Sequence, residues 1–127
     1  MRYSLLALPL ILFMTGCQTM SQTPTYSVVI VNGTTNTIDN AHVRFGQFES
    51  IGGYLRPGIK KTHSFVPIPP PEKALVVWTS QDGKSHEETV EVLKILPKDF
   101  NDEDIIFTIQ EDGNVAVTNK PTFHLPK

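Results

Sequence analysis

A chain of 127 residues with 13 acidic residues, 11 basic residues and a formal charge of −2 has no electrostatic footprint for nucleic acid and no polybasic patch for anionic lipid. Its single cysteine excludes a disulfide framework, which needs cysteines in pairs, so the core alone has to stabilise the fold. The length suits one domain around one hydrophobic core.

The chain opens with Arg2 and an apolar run over residues 5–14. A membrane-spanning helix needs about 20 apolar residues, so this run is too short to be a permanent span. With Thr15 and Gly16 behind it, residues 1–16 read as a signal peptide that is removed. Met14-Thr15-Gly16-Cys17 resembles the lipobox of bacterial lipoproteins, with Met14 standing where the pattern prefers leucine. The resemblance covers the first 17 residues. It implies that the Cys17 thiol receives a diacylglyceryl group, that cleavage occurs before Cys17, and that the new amino terminus is acylated. Cys17 is thus the expected lipidation site and the membrane the expected partner through that anchor. Several acyl chains at about 0.8 kcal/mol per buried methylene make a stable anchor, whereas one chain binds only marginally. Loss of residues 1–16 takes Arg2 and no acid, leaving ten basic against 13 acidic residues, so the mature chain stands near −3.

Residues 17–25 supply the lipidated cysteine and a polar tether closed by Pro24. Gln18, rather than aspartate, follows the cysteine. By resemblance to enterobacterial sorting rules, that implies an outer-membrane location facing the periplasm.

Residues 26–118 read as a β domain. The first strand, 26–31, is apolar on both alternating faces except at Ser27, as expected of a strand covered on both sides. Asn32-Gly33-Thr34 is turn chemistry. In Ala41-His42-Val43-Arg44-Phe45 the alternation turns Ala41, Val43 and Phe45 inward. Residues 46–53 read as looser, with Phe48 and Ile51 at the rim, and Arg56-Pro57-Gly58 carries a type II turn signature.

A returning strand is expected over 59–66. The proline-rich residues 67–71 cannot sit in a central strand, because proline lacks the ladder donor, and read as a rigid crossover. Residues 73–79 form the clearest central strand, with Ala74, Val76 and Trp78 on one face and Trp78 in the core. Asp82-Gly83 signals a two-residue type I′ hairpin, leading to a strand with Val90 and Val92 inward. Strands 105–110, with Ile105, Phe107 and Ile109 inward, and 115–118 complete the domain. Residues 119–127, with Pro121 and Pro126, read as a flexible tail.

Seven or eight short strands with regularly spaced turns and no helical period predict an all-β antiparallel sandwich, immunoglobulin-like or transthyretin-like. The stretch from Val31-Asn32 to Phe48, with Val43-Arg44, loosely resembles the small transthyretin-like lipoproteins of type VI secretion assemblies and carries no residue over.

No catalytic, cofactor or metal site is expected. His42, His63, His86 and His124 lack ligand spacing, and zinc needs three or four converging ligands. Asp99, Asp102, Glu103 and Asp104 lack the spacing of a calcium loop and read as solvated, with Asp99 or Asp102 capping a helical turn. No serine lies in a nucleophile elbow and no glycine-rich loop joins a strand to a helix. The expected function is a non-enzymatic structural or protein-interaction module of the cell envelope, with an envelope protein as partner. The alternative is a ligand- or toxin-binding lipoprotein of the immunity type.

Overall fold

The computed structural model describes residues 25–98 and 100–122. The expected signal peptide, the expected lipidation site Cys17, the expected tether to residue 24, Asp99 and His124 lie outside the described residues.

Eight strands are formed: β1 (Tyr26–Gly33), β2 (Ile38–Phe45), β3 (Phe48–Leu55), β4 (Lys60–His63), β5 (Lys73–Thr79), β6 (Ser85–Glu91), β7 (Glu103–Gln110) and β8 (Val115–Pro121), with a 3-10 turn at Leu93–Ile95. They make two four-stranded sheets, ordered β4-β1-β7-β8 and β3-β2-β5-β6. The fold is therefore the expected β-sandwich. An immunoglobulin constant-type sandwich has seven strands and keeps its first two in one sheet. Here β1 and β2 lie in opposite sheets, so the strand order is not the immunoglobulin constant-type one.

One pair departs from the expected antiparallel pattern. β1 runs parallel to β7, from Tyr26 opposite Glu103 to Gly33 opposite Gln110. Parallel partners need a long crossover, and the whole second sheet provides it. The apolar character of both faces of β1 fits this central position: Val28 and Ile30 face the sandwich, and Val29 is also buried.

Between the sheets, Ala41, Val43, Phe45, Ala74, Val76 and Trp78 meet Val28, Ile30, Ile105, Phe107 and Ile109. These include the inward residues expected from the period-2 alternation of β2, β5 and β7. Tyr26 joins them from the end of β1. Its hydroxyl donates to the Ile68 carbonyl at 2.7 Å, tying the crossover to the sheet, and burial pushes the phenol well above its ordinary pKa.

Several boundaries differ from expectation. The 46–53 segment is no loose loop but most of β3, entered through a two-residue Gly46-Gln47 connection between paired Phe45 and Phe48. β4 is only four residues, all exposed. The chain leaves the strand at Ser64 because the Val66 amide donates instead to the Tyr26 carbonyl at 3.0 Å, which draws Val66 into the core. The Arg56–Ile59 turn is as expected, with an Ile59 N–H to Arg56 carbonyl bond of 3.1 Å and Gly58 at φ +77°.

The Asp82-Gly83 hairpin is not a two-residue type I′ turn. The Gly83 amide donates to the Ser80 carbonyl and the Ser80 amide to Lys84, which makes a three-residue loop: a type I turn followed by a left-handed Gly83 at φ +86°. The β7–β8 hairpin repeats the design at Gln110, Gly113 and Asn114, with Gly113 at φ +88°. In both, an aspartate accepts from the backbone two residues on, Asp82 from Lys84 and Asp112 from Asn114. That local bond favours a type I turn.

The ends of the domain are also longer than expected. β8 continues three residues past the expected end, to Pro121, so positions 119–121 belong to the sheet rather than to a tail. Thr122 is held by its N–H to the Asp102 carbonyl at 2.7 Å. Thr25, the last tether residue, is fixed too: its amide donates to Asn101 Oδ1 and its carbonyl accepts from the Asp102 amide. Asp102 caps no helix. It sits at φ +60° in the bend before β7.

These contacts define two poles. Thr25 and Thr122 lie together at the near pole. β1 and β7 run from there to the far pole, an eight-residue strand or about 25 Å away.

Candidate functional site

The far pole carries a cleft of about 460 Å³ bounded by three loops: 34–37 after β1, the 80–84 hairpin and the 110–114 hairpin. Each wall is positioned by specific bonds. Asn32, the penultimate residue of β1, is fully buried and organises the first loop. Its side-chain amide donates to the carbonyls of Asn36 and Leu55, both at 2.9 Å, and its oxygen accepts from the Thr34 amide and hydroxyl. The Glu111 carboxylate then accepts from the Thr35 amide at 2.7 Å and the Thr35 hydroxyl at 3.0 Å, joining the third loop to the first.

The floor is made by β5 and β6. The Asp-Gly hairpin sets Trp78 directly opposite His86. Their rings stack at 5.1 Å between centroids and 10° between planes. Trp78 is only 3% exposed, so it is the core residue expected and contributes an edge to the cleft, while His86 covers its face. Ile38 adds apolar floor, and Asn36, Gln81, Gln110 and Glu111 supply a polar rim. The surface can accept apolar contact at its base and exchange hydrogen bonds at its edge.

Ser80, His86 and Asp82 meet here, which the sequence reading did not anticipate. Ser80 Oγ lies 2.9 Å from His86 Nε2 and donates to Asp82 Oδ1. This hydroxyl and the Lys84 backbone amide hold the Asp82 carboxyl below its ordinary pKa. A nucleophilic triad needs the imidazole to take the serine proton and the carboxylate to orient the imidazole. Here the carboxylate contacts the serine instead. The Ser80 hydroxyl also lies 3.3 Å from the Lys84 carbonyl, so its bonds run along the hairpin. The trio braces the hairpin rather than activating an oxygen.

The other histidines stay apart. His42 Nδ1 contacts the Asn40 carbonyl at 2.9 Å on β2, and His63 stacks edge-on against Phe48 at the margin of β4. Among the described residues, no three histidine, cysteine or acidic side chains converge as a metal site would require. The acidic stretch is divided by the strand. Asp102 and Asp104 accept from Thr25 and Thr122, and Glu103 from Asn119.

A second feature lies on the sheet surface. Ile51 and Tyr54 of β3 are 64% and 67% exposed, beside the bulge where Asn40 adopts φ +54°. Phe48, expected with Ile51 at the rim, instead packs on Phe45 at 5.0 Å, and Leu55 is buried.

No protein-family model matches the chain, and no curated protein matches it. Among solved structures, the chain is similar to the NMR structure of a protein from Eubacterium rectale, with 19% identity and a TM-score of 0.53 over 78% of this chain and 91% of that one. At that identity the likeness shows the fold alone, and the fold it shows is the β-sandwich.

Proposed function

We propose that the protein is a lipid-anchored β-sandwich of the bacterial envelope, held to the outer membrane through Cys17 and facing the periplasm. Its role is that of a non-enzymatic interaction module for another envelope protein. The observation that carries the reading is the polarity of the domain. Thr25, eight residues beyond Cys17, lies at one pole, and the three-loop cleft lies at the other. A chain anchored at its amino end in this way holds the cleft about 25 Å farther from the membrane than Thr25. The cleft is open and polar-rimmed, as suits a protruding segment of a protein partner. The contribution of Trp78 to its floor favours a second reading, a small ring-bearing ligand or a toxin segment seated on that edge.

Two measurements test the proposal. Cys17→Ser is expected to move most of the protein from the membrane to the soluble envelope fraction, and unchanged membrane association would remove the anchor. A photo-crosslinking side chain at Gln81, on the cleft rim, is expected to yield a discrete adduct with an envelope protein, while one at Lys61 on β4 does not. Equal adducts at both positions, or none, would remove the module.

A further inference from the structure

We propose that the near pole is a bilayer-contacting surface with Phe65 as its apolar anchor, so that the domain stands on the membrane rather than hanging free from its tether. This rests on the anchoring at Cys17. Among the described residues, Phe65 is the most exposed large apolar side chain, at 76%. It lines a small cavity together with Thr25 and Thr122, the two positions where the chain passes in and out of the domain. Leu93, 48% exposed, lies at the same pole just beyond the end of β6.

The surroundings of Phe65 suit a lipid surface. Residues 64–71, Ser-Phe-Val-Pro-Ile-Pro-Pro-Pro, carry no charge. Four prolines and the Tyr26 hydroxyl bond to Ile68 hold this segment in place, so little ordering is needed when it meets the bilayer. Phe65 also occupies the left-handed region at φ +57°, where a bulky side chain is disfavoured. An aromatic residue that is both exposed and in a strained backbone adds nothing to folding by its position.

The chain length fixes the occupant. Thr25 is eight positions beyond Cys17, a reach of at most about 28 Å, so an anchored domain cannot leave the neighbourhood of the headgroups. Aromatic residues favour the membrane interface, and interfacial segments sink about 5–10 Å into it. Lys94 at this pole is paired with Glu91 at 3.1 Å, and Asp102, Glu103 and Asp104 are close by. The contact therefore owes nothing to electrostatic attraction and is not weakened by salt.

The test compares two exposed aromatics at opposite poles, Tyr54 lying beside Thr37, Thr79 and Gln81 at the far one. Phe65→Trp and Tyr54→Trp are each made in the lipidated Trp78→Phe chain, so that the new indole is the only one, and reconstituted into vesicles of phosphatidylethanolamine and phosphatidylglycerol with brominated acyl chains. The Phe65→Trp indole is expected to lose on the order of half its emission to the bromines, at interfacial depth and no less at high salt. The Tyr54→Trp indole is expected to remain unquenched. Equal quenching, or quenching only at position 54, would overturn the proposal. So would a blue-shifted but unquenched signal at position 65, which would mean that the chain itself covers the site. If mass analysis finds no lipid on Cys17, the anchor fails separately. The Cys17→Ser chain carrying a histidine tag before residue 17, on nickel-chelating lipid, then holds the same end at the bilayer, and the same comparison decides the pole. Phe65→Gly should separate stability from contact. It is expected to raise the thermal midpoint by roughly 4 °C as the strain is released, while it abolishes the protection of residues 64–71 from proteolysis on vesicles. A lower midpoint would mean that Phe65 serves the fold.

Discussion

Trp78→Ala is expected to remove about 3–5 kcal/mol of stability, the range for truncating a large buried aromatic. A domain of this size has about 5–15 kcal/mol in total, so the variant should sit near the edge of folding at physiological temperature. Trp78 is 3% exposed and lies in the central row of β5, between Val76 below it and the cleft above. Removing it takes apolar volume from between the sheets and leaves His86 without the ring on which it stacks. Because the variant loses the only tryptophan, urea unfolding followed by far-ultraviolet circular dichroism is the measurement. A loss below about 1 kcal/mol would show that the indole is not a core element. Trp78→Phe keeps a ring on the β5 inner face and should recover much of the stability.

Asn32→Ala is expected to cost about 2–4 kcal/mol, well above an ordinary surface polar change. A single hydrogen bond contributes about 1 kcal/mol net, and leaving a buried partner unpaired costs a further 1–3 kcal/mol. Asn32 makes four side-chain bonds, and the one to the Leu55 carbonyl is buried and joins the two sheets. Its backbone is also engaged, donating to Ile59 and accepting from Gly58. The variant should therefore show two effects together. Its unfolding midpoint in urea falls, and amide exchange accelerates at Thr34 and at Gly58. Thr34→Val, which removes only the hydroxyl bonds, should cost about 1 kcal/mol. If the two variants are equal, the buried Leu55 contact is not the dominant one.

The legible part of the fold is the part governed by strict alternation. Ala41, Val43 and Phe45, and Ala74, Val76 and Trp78, declare their inner face because a one-residue slip would expose all three at once. Ile105, Phe107 and Ile109 do the same. What was not legible depends on partners distant in sequence. Asn32-Gly33 has identical local chemistry whether it forms a turn or ends a strand. Its pairing with Ile109 and Gln110 of β7 decides the matter. Likewise β8 extends to Pro121 only because Asp104 and Glu103 lie opposite Lys120 and Pro121, and β4 ends early because the Tyr26 carbonyl captures Val66.

The cleft was partly foreseeable. An Asp-Gly hairpin after Trp78 brings the following strand alongside β5, so the meeting of Trp78 with His86 follows from the turn once its length is correct. The third wall does not follow. Glu111 bonds to Thr35 across 76 positions, and no local pattern announces that pairing. Cys17 belongs to a different class of signal, since the proposed anchor rests on the resemblance of Met14-Thr15-Gly16-Cys17 to a lipobox and not on packing.

The parallel pairing of β1 with β7 has a consequence for how the molecule assembles. Tyr26 and Glu103 lie 77 positions apart, and closing a loop of that size costs on the order of 4 kcal/mol in chain entropy before any rung of the ladder offsets it. The hairpins β2–β3 and β5–β6 need no such closure and can nucleate independently. The sheet containing β1 is consequently the slow one, with folding in the millisecond-to-second range typical of sandwiches rich in distant contacts. β1, which precedes the other seven described strands in the chain, is among the last to be locked in place.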